Sequence, residues 1–466
     1  MSKFKDHENE AVGFETKWKE NRTYQSSDSQ TEPIKRKDEG TQPVVTSSSE
    51  AQTSSQIPSQ LASLSPDEEQ SLAKFLSNIS NNVMKELDKN DASNAMARLV
   101  MMDFEDVDSV QSEKVRTFEA PKIDNKQIKV SCVSWNCTGS LLAVGFCSEQ
   151  HNAWCSHAGL INFYNTEKSS PSRSITTKSC VTSLSLHPYE LSLVAAGMYS
   201  GEVCTYNLNQ DDVDCLMKSS SVHTSPISQV SWEYTVSASN RPHLVVSSLD
   251  GTLSLYSVSL QTNSMSVVKK YVMSDSSLPT RPGILSFSFS PLLNTTFITS
   301  VEGGHLYSCS TLTATIEPST PLEPPGETLY NPIVEKFEKH GSNVLACSFS
   351  KHSSAKESLF VTACLEEIRI YTLSSTSPVH TIFVSSCLGL SWSVTQPQVL
   401  FYWGADQTVI VYNVLRREQI TSLNMSTSKD QMITAMGVNM KLPNLLATGT
   451  NQGETSIWQM PKYFKL

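Results

Sequence analysis

Hydrophobic and polar residues alternate in short runs along the last three-quarters of the chain. Between Cys180 and Leu208, three such runs are separated by two turn signals, one containing Pro188 and the other Gly201. An alternation with a period of two residues, bounded by proline or glycine, predicts a β-strand at each run. Because a sheet of three short strands cannot bury both of its faces, these strands need neighbouring sheets.

The same succession of three strands recurs as seven units along the chain. The first runs of the units begin at Val130, Val181, Ile227, Ile284, Val344, Cys387 and Met432. An aromatic residue closes the third strand of each unit, at Tyr164, Tyr206, Tyr256, Tyr307, Tyr371, Tyr412 and Trp458. A repeat of about 40 to 60 residues with this ending is typical of a β-propeller. The sequence therefore predicts an all-β fold, a seven-bladed propeller over residues 130–466.

The last unit lacks a fourth, outer strand of its own, since Pro461 follows Trp458 closely. We expect the segment from about Lys114 to Lys122 to supply that strand, within a region of linker and closing strand over residues 104–129. Pairing the two ends of the domain would also protect strand edges that are otherwise exposed.

Residues 1–64 are polar and short of aromatic and branched apolar residues, which predicts a disordered arm. Three short segments of the arm contain adjacent glutamine and threonine residues: Gln30 and Thr31, Thr41 and Gln42, and Gln52 and Thr53. Such pairs are common in low-complexity tails. They are also compatible with an extended peptide that adds a strand to a partner's sheet edge.

Residues 65–103 are predicted to be mainly helical. Ser65 and Pro66, followed by three acidic residues, are typical of a helix start. An apolar stripe follows at helical spacing, formed by Leu72, Phe75, Leu76, Ile79, Val83 and Leu87. A lone helix of this length is marginally stable unless its stripe packs on something. We expect the stripe to lie in a partner's groove rather than on the side of the propeller.

Composition narrows the classes of function. The chain has 46 acidic and 36 basic residues, a formal net charge of −10, which argues against nucleic-acid binding. Neither an apolar run of membrane-spanning length nor an N-terminal signal pattern is present, so we expect a soluble intracellular protein. The 11 cysteines fall mostly on predicted strands and are expected to be buried thiols rather than disulfides.

Motifs for catalysis are missing from the sequence, including phosphate-binding glycine loops and nucleophile elbows, so we expect neither enzymatic activity nor a cofactor. Cys147, His151, Cys155 and His157 are metal-ligand residue types in a predicted loop of the first unit. Zinc accepts two thiolates and two imidazoles, but their spacing matches no established zinc pattern. We therefore favour an insertion loop in which Trp154 packs back on the blade over a metal site.

The repeats resemble those of the WD-repeat family. The Trp-Asp dipeptide that closes such repeats is replaced here by Tyr164-Asn165, Tyr206-Asn207, Tyr412-Asn413 and Trp458-Gln459. The order of arm, amphipathic helix, linker and seven-bladed propeller is similar to that of the dynein intermediate chains. Several short sequence segments look like those of the cytoplasmic dynein 2 intermediate chains. They are Phe14–Lys17, Phe75–Leu76, Val83–Asn90, Val133–Ser140 and Gly197–Val203.

This resemblance implies a non-catalytic subunit of the motor for retrograde intraflagellar transport, located in the cytoplasm, the cytoskeleton and the cilium, at the axoneme and ciliary base. The propeller would bind the tail of the dynein 2 heavy chain. The helix Asp67–Lys89 would bind a roadblock-type light chain, and the Gln/Thr segments would bind the eight-kilodalton light chain. A Tctex-type light chain near Phe14 and a second, different dynein 2 intermediate chain are further implied partners.

Two alternatives remain open from the sequence. One is an intermediate chain of axonemal dynein or of cytoplasmic dynein 1, although the arm lacks the long N-terminal coiled coil of the latter. The other is a substrate receptor of a cullin ubiquitin ligase, a class that carries an arginine shortly after a closing Trp-Asp. Only Arg416, after Tyr412, comes near this pattern, and its spacing differs.

Overall fold

The computed structural model describes most of the chain from residue 112 onward and part of the preceding helix. The described ranges are 70–80, 82–85, 112–121, 128–148, 151, 155, 157–209, 217–218, 223–234, 241–318, 328–351, 358–425 and 431–460. The arm with its Gln/Thr segments lies outside them, as do Leu87, Trp154 and the helical stretch expected at 92–102. The chain divides into two compact units, Met1–Ala97 and Arg98–Leu466.

The first unit contains helix α1, described over residues 70–80 and 82–85. The helix start expected at Ser65 and the end expected near Lys89 fall outside the described residues. Within the described residues, the structure contains no helix with both the length and the apolar character needed to cross a membrane.

The second unit opens with strand β1 (Glu113–Phe118), and the strands after it form seven sheets within the described residues. Blade 1 consists of β2 (Ile128–Trp135), β3 (Leu141–Ser148), β4 (Gly159–Asn165) and β5 (Arg173–Thr177). Blade 2 consists of β6 (Val181–Leu186), β7 (Leu193–Met198), β8 (Val203–Asn207) and β9 (Met217–Lys218). Blade 3 begins with β10 (Ile227–Glu233), β11 (His243–Ser248), β12 (Thr252–Ser259) and β13 (Ser264–Val272).

Blades 4 to 7 follow the same order. Blade 4 consists of β14 (Ile284–Phe289), β15 (Thr296–Val301), β16 (His305–Ser310) and, after β17 (Thr315–Ile316) and β18 (Leu329–Asn331), β19 (Ile333–Lys336). Blade 5 consists of β20 (Ala346–Phe349), β21 (Leu359–Ala363), β22 (Glu367–Thr372) and β23 (His380–Phe383). Blade 6 consists of β24 (Gly389–Trp392), β25 (Val399–Trp403), β26 (Thr408–Asn413) and β27 (Glu418–Asn424). Blade 7 contains β28 (Ile433–Val438), β29 (Leu445–Thr450) and β30 (Thr455–Gln459).

The seven blades close into a ring. The first strand of each blade contacts the first strands of both neighbours, in the order β2, β6, β10, β14, β20, β24 and β28, and β28 contacts β2 again. The structure is therefore a seven-bladed β-propeller, as the sequence predicted. The aromatic residues expected to close the third strands are all buried: Tyr164, Tyr206, Tyr256, Tyr307, Tyr371, Tyr412 and Trp458.

The fourth strand of blade 7 comes from the other end of the propeller sequence. β1 pairs antiparallel with β30, and Lys114 forms an ion pair with Glu454 at 3.1 Å. Phe118, at the end of β1, is 1% exposed and stacks on Tyr164 of blade 1 with ring centroids 4.0 Å apart. β1 thus joins blade 7 to blade 1, and it removes the open edge that β30 would otherwise present.

Blade 3 differs from a four-stranded blade because it has six strands, β17 and β18 being added outside β13. β18 pairs in parallel with β13, and β17 pairs antiparallel with β18. Both come from the long connection between the third and fourth strands of blade 4. Covering the edge of β13 satisfies backbone groups that an outermost strand leaves unpaired.

Tryptophan side chains join neighbouring inner strands. The indole N–H of Trp135 in β2 donates to the carbonyl of Gly437 in β28 at 3.0 Å. Equivalent bonds of 3.1 Å connect Trp232 to Ser185 and Trp392 to Ser348. Each bond crosses from one blade to the preceding one, so these residues position the blades as well as filling the core.

Replacing Trp392 with phenylalanine should destabilise the propeller by about 1–3 kcal/mol, because it leaves the Ser348 carbonyl without its donor. Urea unfolding measures this change. Trp403→Phe is the matched control, since the Trp403 indole nitrogen is buried without a hydrogen-bond partner among the described residues. Equal destabilisation by the two substitutions would contradict a specific role for the Trp392 bond.

Candidate functional site

Helix α1 presents an apolar stripe to solvent. At 3.6 residues per turn, Leu72, Phe75, Leu76, Ile79 and Val83 lie within a sector of about 100°. Their exposed fractions range from 38% for Ile79 to 57% for Phe75. Lys74, Asn78 and Lys85 occupy the opposite side of the helix. The stripe extends for about 16 Å along the axis, which is enough for several side chains to enter one groove.

A second candidate surface lies at one end of the propeller. Because neighbouring strands of a blade run antiparallel, the connection between the first and second strands emerges at the same end as that between the third and fourth. We call this end of the ring the AB end. Exposed large apolar residues in these loops are Tyr189, Leu191, Leu292, Leu293, Leu312, Val379, Leu415, Met440 and Leu442. The loops of the opposite end expose Leu345, Leu365 and Met432.

Contacts between loops hold the AB end together. Asn439 of blade 7 donates its side-chain amide to the carbonyl of Gly139 in blade 1 at 2.8 Å. The Cys137 thiol lies 3.7 Å from the carbonyl of Tyr189 in blade 2, and the Tyr189 ring packs edge-on against Tyr234 of blade 3 at 5.9 Å. The loops of blades 7, 1, 2 and 3 at this end are therefore connected to one another.

Sequence reasoning missed the AB end, although a signal for it exists. Its turns contain apolar residues next to proline, as in Pro188-Tyr189, Pro291-Leu292 and Leu442-Pro443. Turn positions usually favour polar residues, so apolar side chains there indicate an interaction surface. Recognising that the turns share one end required the strand order.

Histidine and cysteine residues meet at the opposite end of the ring. His151, Cys155 and His157 lie between β3 and β4 of blade 1, and Cys180 directly precedes β6 of blade 2. One donor atom from each of the four lies within 4.8 Å of the donors of the others. The sequence had grouped Cys147 with the first three residues. The structure places Cys180 in the group instead, a neighbour supplied by the adjacent blade.

Hydrogen bonds and burial set the protonation of this cluster. Burial acts to raise the pKa of Cys155, but bonds from Ser179 and from the backbone N–H of Cys180 hold it below its ordinary value. Burial raises the pKa of the Cys180 thiol to about 12, and the adjacent Cys155 acts in the same direction. The pKa of His151 is lowered by burial and by the nearby charges of His157 and Lys129.

A second group of possible ligands, His340, Cys364 and Glu367, has a structural explanation. His340 Nδ1 lies 2.9 Å from Glu367 Oε1, and Nε2 lies 3.0 Å from the Thr362 hydroxyl. Glu367 also pairs with Arg369 at 2.9 Å. Since both nitrogens of His340 are hydrogen-bonded, this buried network has no free imidazole lone pair for a metal.

The chain is similar in sequence to the same dynein intermediate chain from two organisms, mouse and human. No protein-family model matches the chain. Mouse cytoplasmic dynein 2 intermediate chain 2 is 24% identical over 442 residues, which cover 89% of this chain and 81% of that protein. Its human counterpart is 24% identical over 417 residues, covering 84% of this chain and 76% of the human protein.

A third relative comes from the axoneme. Zebrafish dynein axonemal intermediate chain 4 is 28% identical over 195 residues, which cover 39% of this chain and 24% of that protein. The resemblance to dynein intermediate chains that the sequence motifs indicated is therefore confirmed, and the cytoplasmic dynein 2 proteins match over far more of the chain.

Proposed function

We propose that this chain is a non-catalytic intermediate chain of cytoplasmic dynein 2, which links the heavy-chain tail to light chains during retrograde intraflagellar transport in cilia. The observation that carries this proposal is the similarity to two cytoplasmic dynein 2 intermediate chains over most of the chain. A closed propeller and an exposed amphipathic helix in one chain suit such a subunit, because both elements present binding surfaces.

The stripe of α1 is the proposed binding site for a roadblock-type light chain. Its described residues are 38–57% exposed, so burying the remaining surface of each would contribute about 1 kcal/mol, roughly half of the value for a fully exposed side chain. The polar side carrying Lys74 and Asn78 would remain in solvent. This arrangement fits a helix that lies in a hydrophobic groove of its partner.

The arm is the proposed site for the remaining light chains. The Gln30/Thr31, Thr41/Gln42 and Gln52/Thr53 segments would add as strands to the eight-kilodalton light chain, and a Tctex-type chain would bind near Phe14. Dimeric light chains would connect this arm to that of a second, different intermediate chain. Several weak contacts on one flexible segment raise the effective concentration of each partner for the next.

The AB end is the proposed docking surface for the helical tail of the dynein 2 heavy chain. Leu292 and Leu293 in blade 4 and Leu442 in blade 7 are between 44% and 51% exposed, and they lie in loops of this end. A cluster of exposed apolar side chains on one end of a rigid scaffold is typical of a protein-binding surface.

An intermediate chain of axonemal dynein is the second candidate. The similarity to zebrafish dynein axonemal intermediate chain 4 favours it, but that similarity spans a much smaller part of the chain. The two candidates share an architecture and differ in the heavy chain that the propeller would bind.

Affinity purification of the tagged full-length chain from ciliated cells, followed by mass spectrometry, tests the proposal. We expect the dynein 2 heavy chain together with roadblock and eight-kilodalton light chains.

Leu292→Glu with Leu293→Glu should reduce heavy-chain recovery at least about tenfold, since two charges would enter an apolar contact. Leu345→Glu with Leu365→Glu, at the opposite end, should leave it unchanged. Recovery of axonemal heavy chains alone would favour the second candidate, and recovery of no dynein subunit would overturn both.

A further inference from the structure

The cluster of His151, Cys155, His157 and Cys180 lies between two blades. The first three residues belong to the loop that connects β3 and β4 in blade 1, whereas Cys180 directly precedes β6, the inner strand of blade 2. His151 also stacks on Tyr199, in the turn between β7 and β8, with ring centroids 4.2 Å apart. The loop of blade 1 thus reaches across the blade boundary at two points.

The donor atoms of the cluster are close to the separations that tetrahedral zinc requires. Zn–S and Zn–N bonds of about 2.3 and 2.0–2.1 Å place neighbouring donors about 3.3–3.8 Å apart. In the structure, all four donors lie within 4.8 Å of one another. A contraction of at most about 1.5 Å between donors would therefore complete the coordination sphere.

Two imidazole nitrogens of the cluster are buried without compensation. His151 Nε2 and His157 Nδ1 lack hydrogen-bond partners in the described part of the chain. Buried polar atoms are normally paired, and an unpaired one costs free energy. Both histidines therefore have a nitrogen available to a ligand, unlike His340, whose nitrogens are both occupied.

Backbone N–H groups point at both sulfur atoms. The N–H of Cys180 donates to Cys155 Sγ at 3.4 Å, and the N–H of Ser148 donates to Cys180 Sγ at 3.3 Å. Donors of this kind stabilise negative charge on sulfur and orient it, as outer-shell groups do around metal-bound thiolates. The arrangement orients both sulfur atoms and would support the negative charge that each takes on when a bound cation displaces its proton.

We propose that His151, Cys155, His157 and Cys180 form a structural zinc site that ties blade 1 to blade 2. Two thiolates and two imidazoles are a donor set typical of four-coordinate structural zinc. The two thiolates would neutralise the charge of Zn²⁺, so the partly buried site would carry no net charge. The four protein ligands leave no open position for a substrate, so the ion has a structural rather than a catalytic role.

Metal analysis of the purified full-length chain tests the site. After gel filtration in metal-free buffer, plasma mass spectrometry should find about one zinc ion per chain. Cys155→Ser and Cys180→Ser should each lower the zinc content at least about tenfold, because each removes one of the ligands. Cys147→Ser is the matched control, because this buried thiol lies near the end of β3 but is not one of the four donors. The Cys147→Ser variant should retain zinc.

A second measurement uses only the wild-type chain, so it tests the site even if the variants fail to fold. Chelation of the wild-type chain followed by cobalt titration should give the visible absorption bands of tetrahedral cobalt–thiolate at one equivalent. A wild-type chain that holds no zinc and takes up no cobalt would overturn the proposal, as would a Cys155–Cys180 disulfide in the purified protein. If Cys147→Ser and Cys180→Ser lost equal amounts of zinc, the proposed set of four ligands would be wrong.

Discussion

Placing aspartate at both Ile79 and Val83 is expected to abolish binding of a roadblock-type light chain to the full-length chain. These residues lie near the middle of the α1 stripe and are 38% and 48% exposed, so a groove must bury much of each. Losing both apolar contacts costs about 2 kcal/mol, or about 30-fold in affinity. Burying the new charges would cost more. Isothermal titration of the light chain into the purified chain measures the effect.

Lys74→Asp with Asn78→Asp is the control for this experiment. These two positions have the same four-residue spacing but lie on the polar side of α1. This variant should bind the light chain within about twofold of wild type, because its charges stay in solvent. Wild-type affinity in the Ile79/Val83 variant would contradict the proposed docking stripe. Equal loss in both variants would point to net charge rather than to the stripe.

Removing β1 is expected to prevent stable folding of the propeller. A chain that begins at residue 121 loses the strand paired with β30 and the buried Phe118 ring that stacks on Tyr164. Truncating one buried phenylalanine alone costs about 3–5 kcal/mol, a large part of the typical 5–15 kcal/mol that stabilises a domain. The exposed edge of β30 would also promote aggregation. Circular dichroism during urea unfolding, with size-exclusion chromatography, measures both effects.

A chain that begins at residue 112 is the matched truncation. It lacks the arm and α1 but keeps β1 (Glu113–Phe118), so it should unfold cooperatively at the midpoint of the full-length protein. Equal stability of the two truncated chains would show that β1 does not close the ring.

Local patterns in the sequence were sufficient for much of the fold. The alternation around Val181 and Leu193, and the turn glycine Gly201 between two strands, depend on neighbours a few residues away. Strand formation and turn geometry at these positions are set by short-range steric preferences, so they can be predicted without knowing the partners. The apolar stripe of α1 was predictable for the same reason, since helical periodicity relates residues three and four positions apart.

The candidate metal cluster was only partly predictable. His151, Cys155 and His157 share one loop and were grouped from the sequence, but Cys180 lies more than twenty residues further on, before the next blade's inner strand. Cys147, nearer in sequence, is not among the four close donors. Proximity across a blade boundary depends on how sheets pack, and spacing along the chain does not encode it.

The number of blades, the order of their strands and the amphipathic character of α1 could be predicted from the amino-acid sequence, because each follows from a pattern among residues close along the chain. The three-dimensional structure was needed to show which strands cover which edges, as with β18 beside β13, and which loops share the AB end. It also decided that Cys180 joins the histidines of blade 1. These features arise where distant segments meet, and there the packing of whole sheets selects the neighbours.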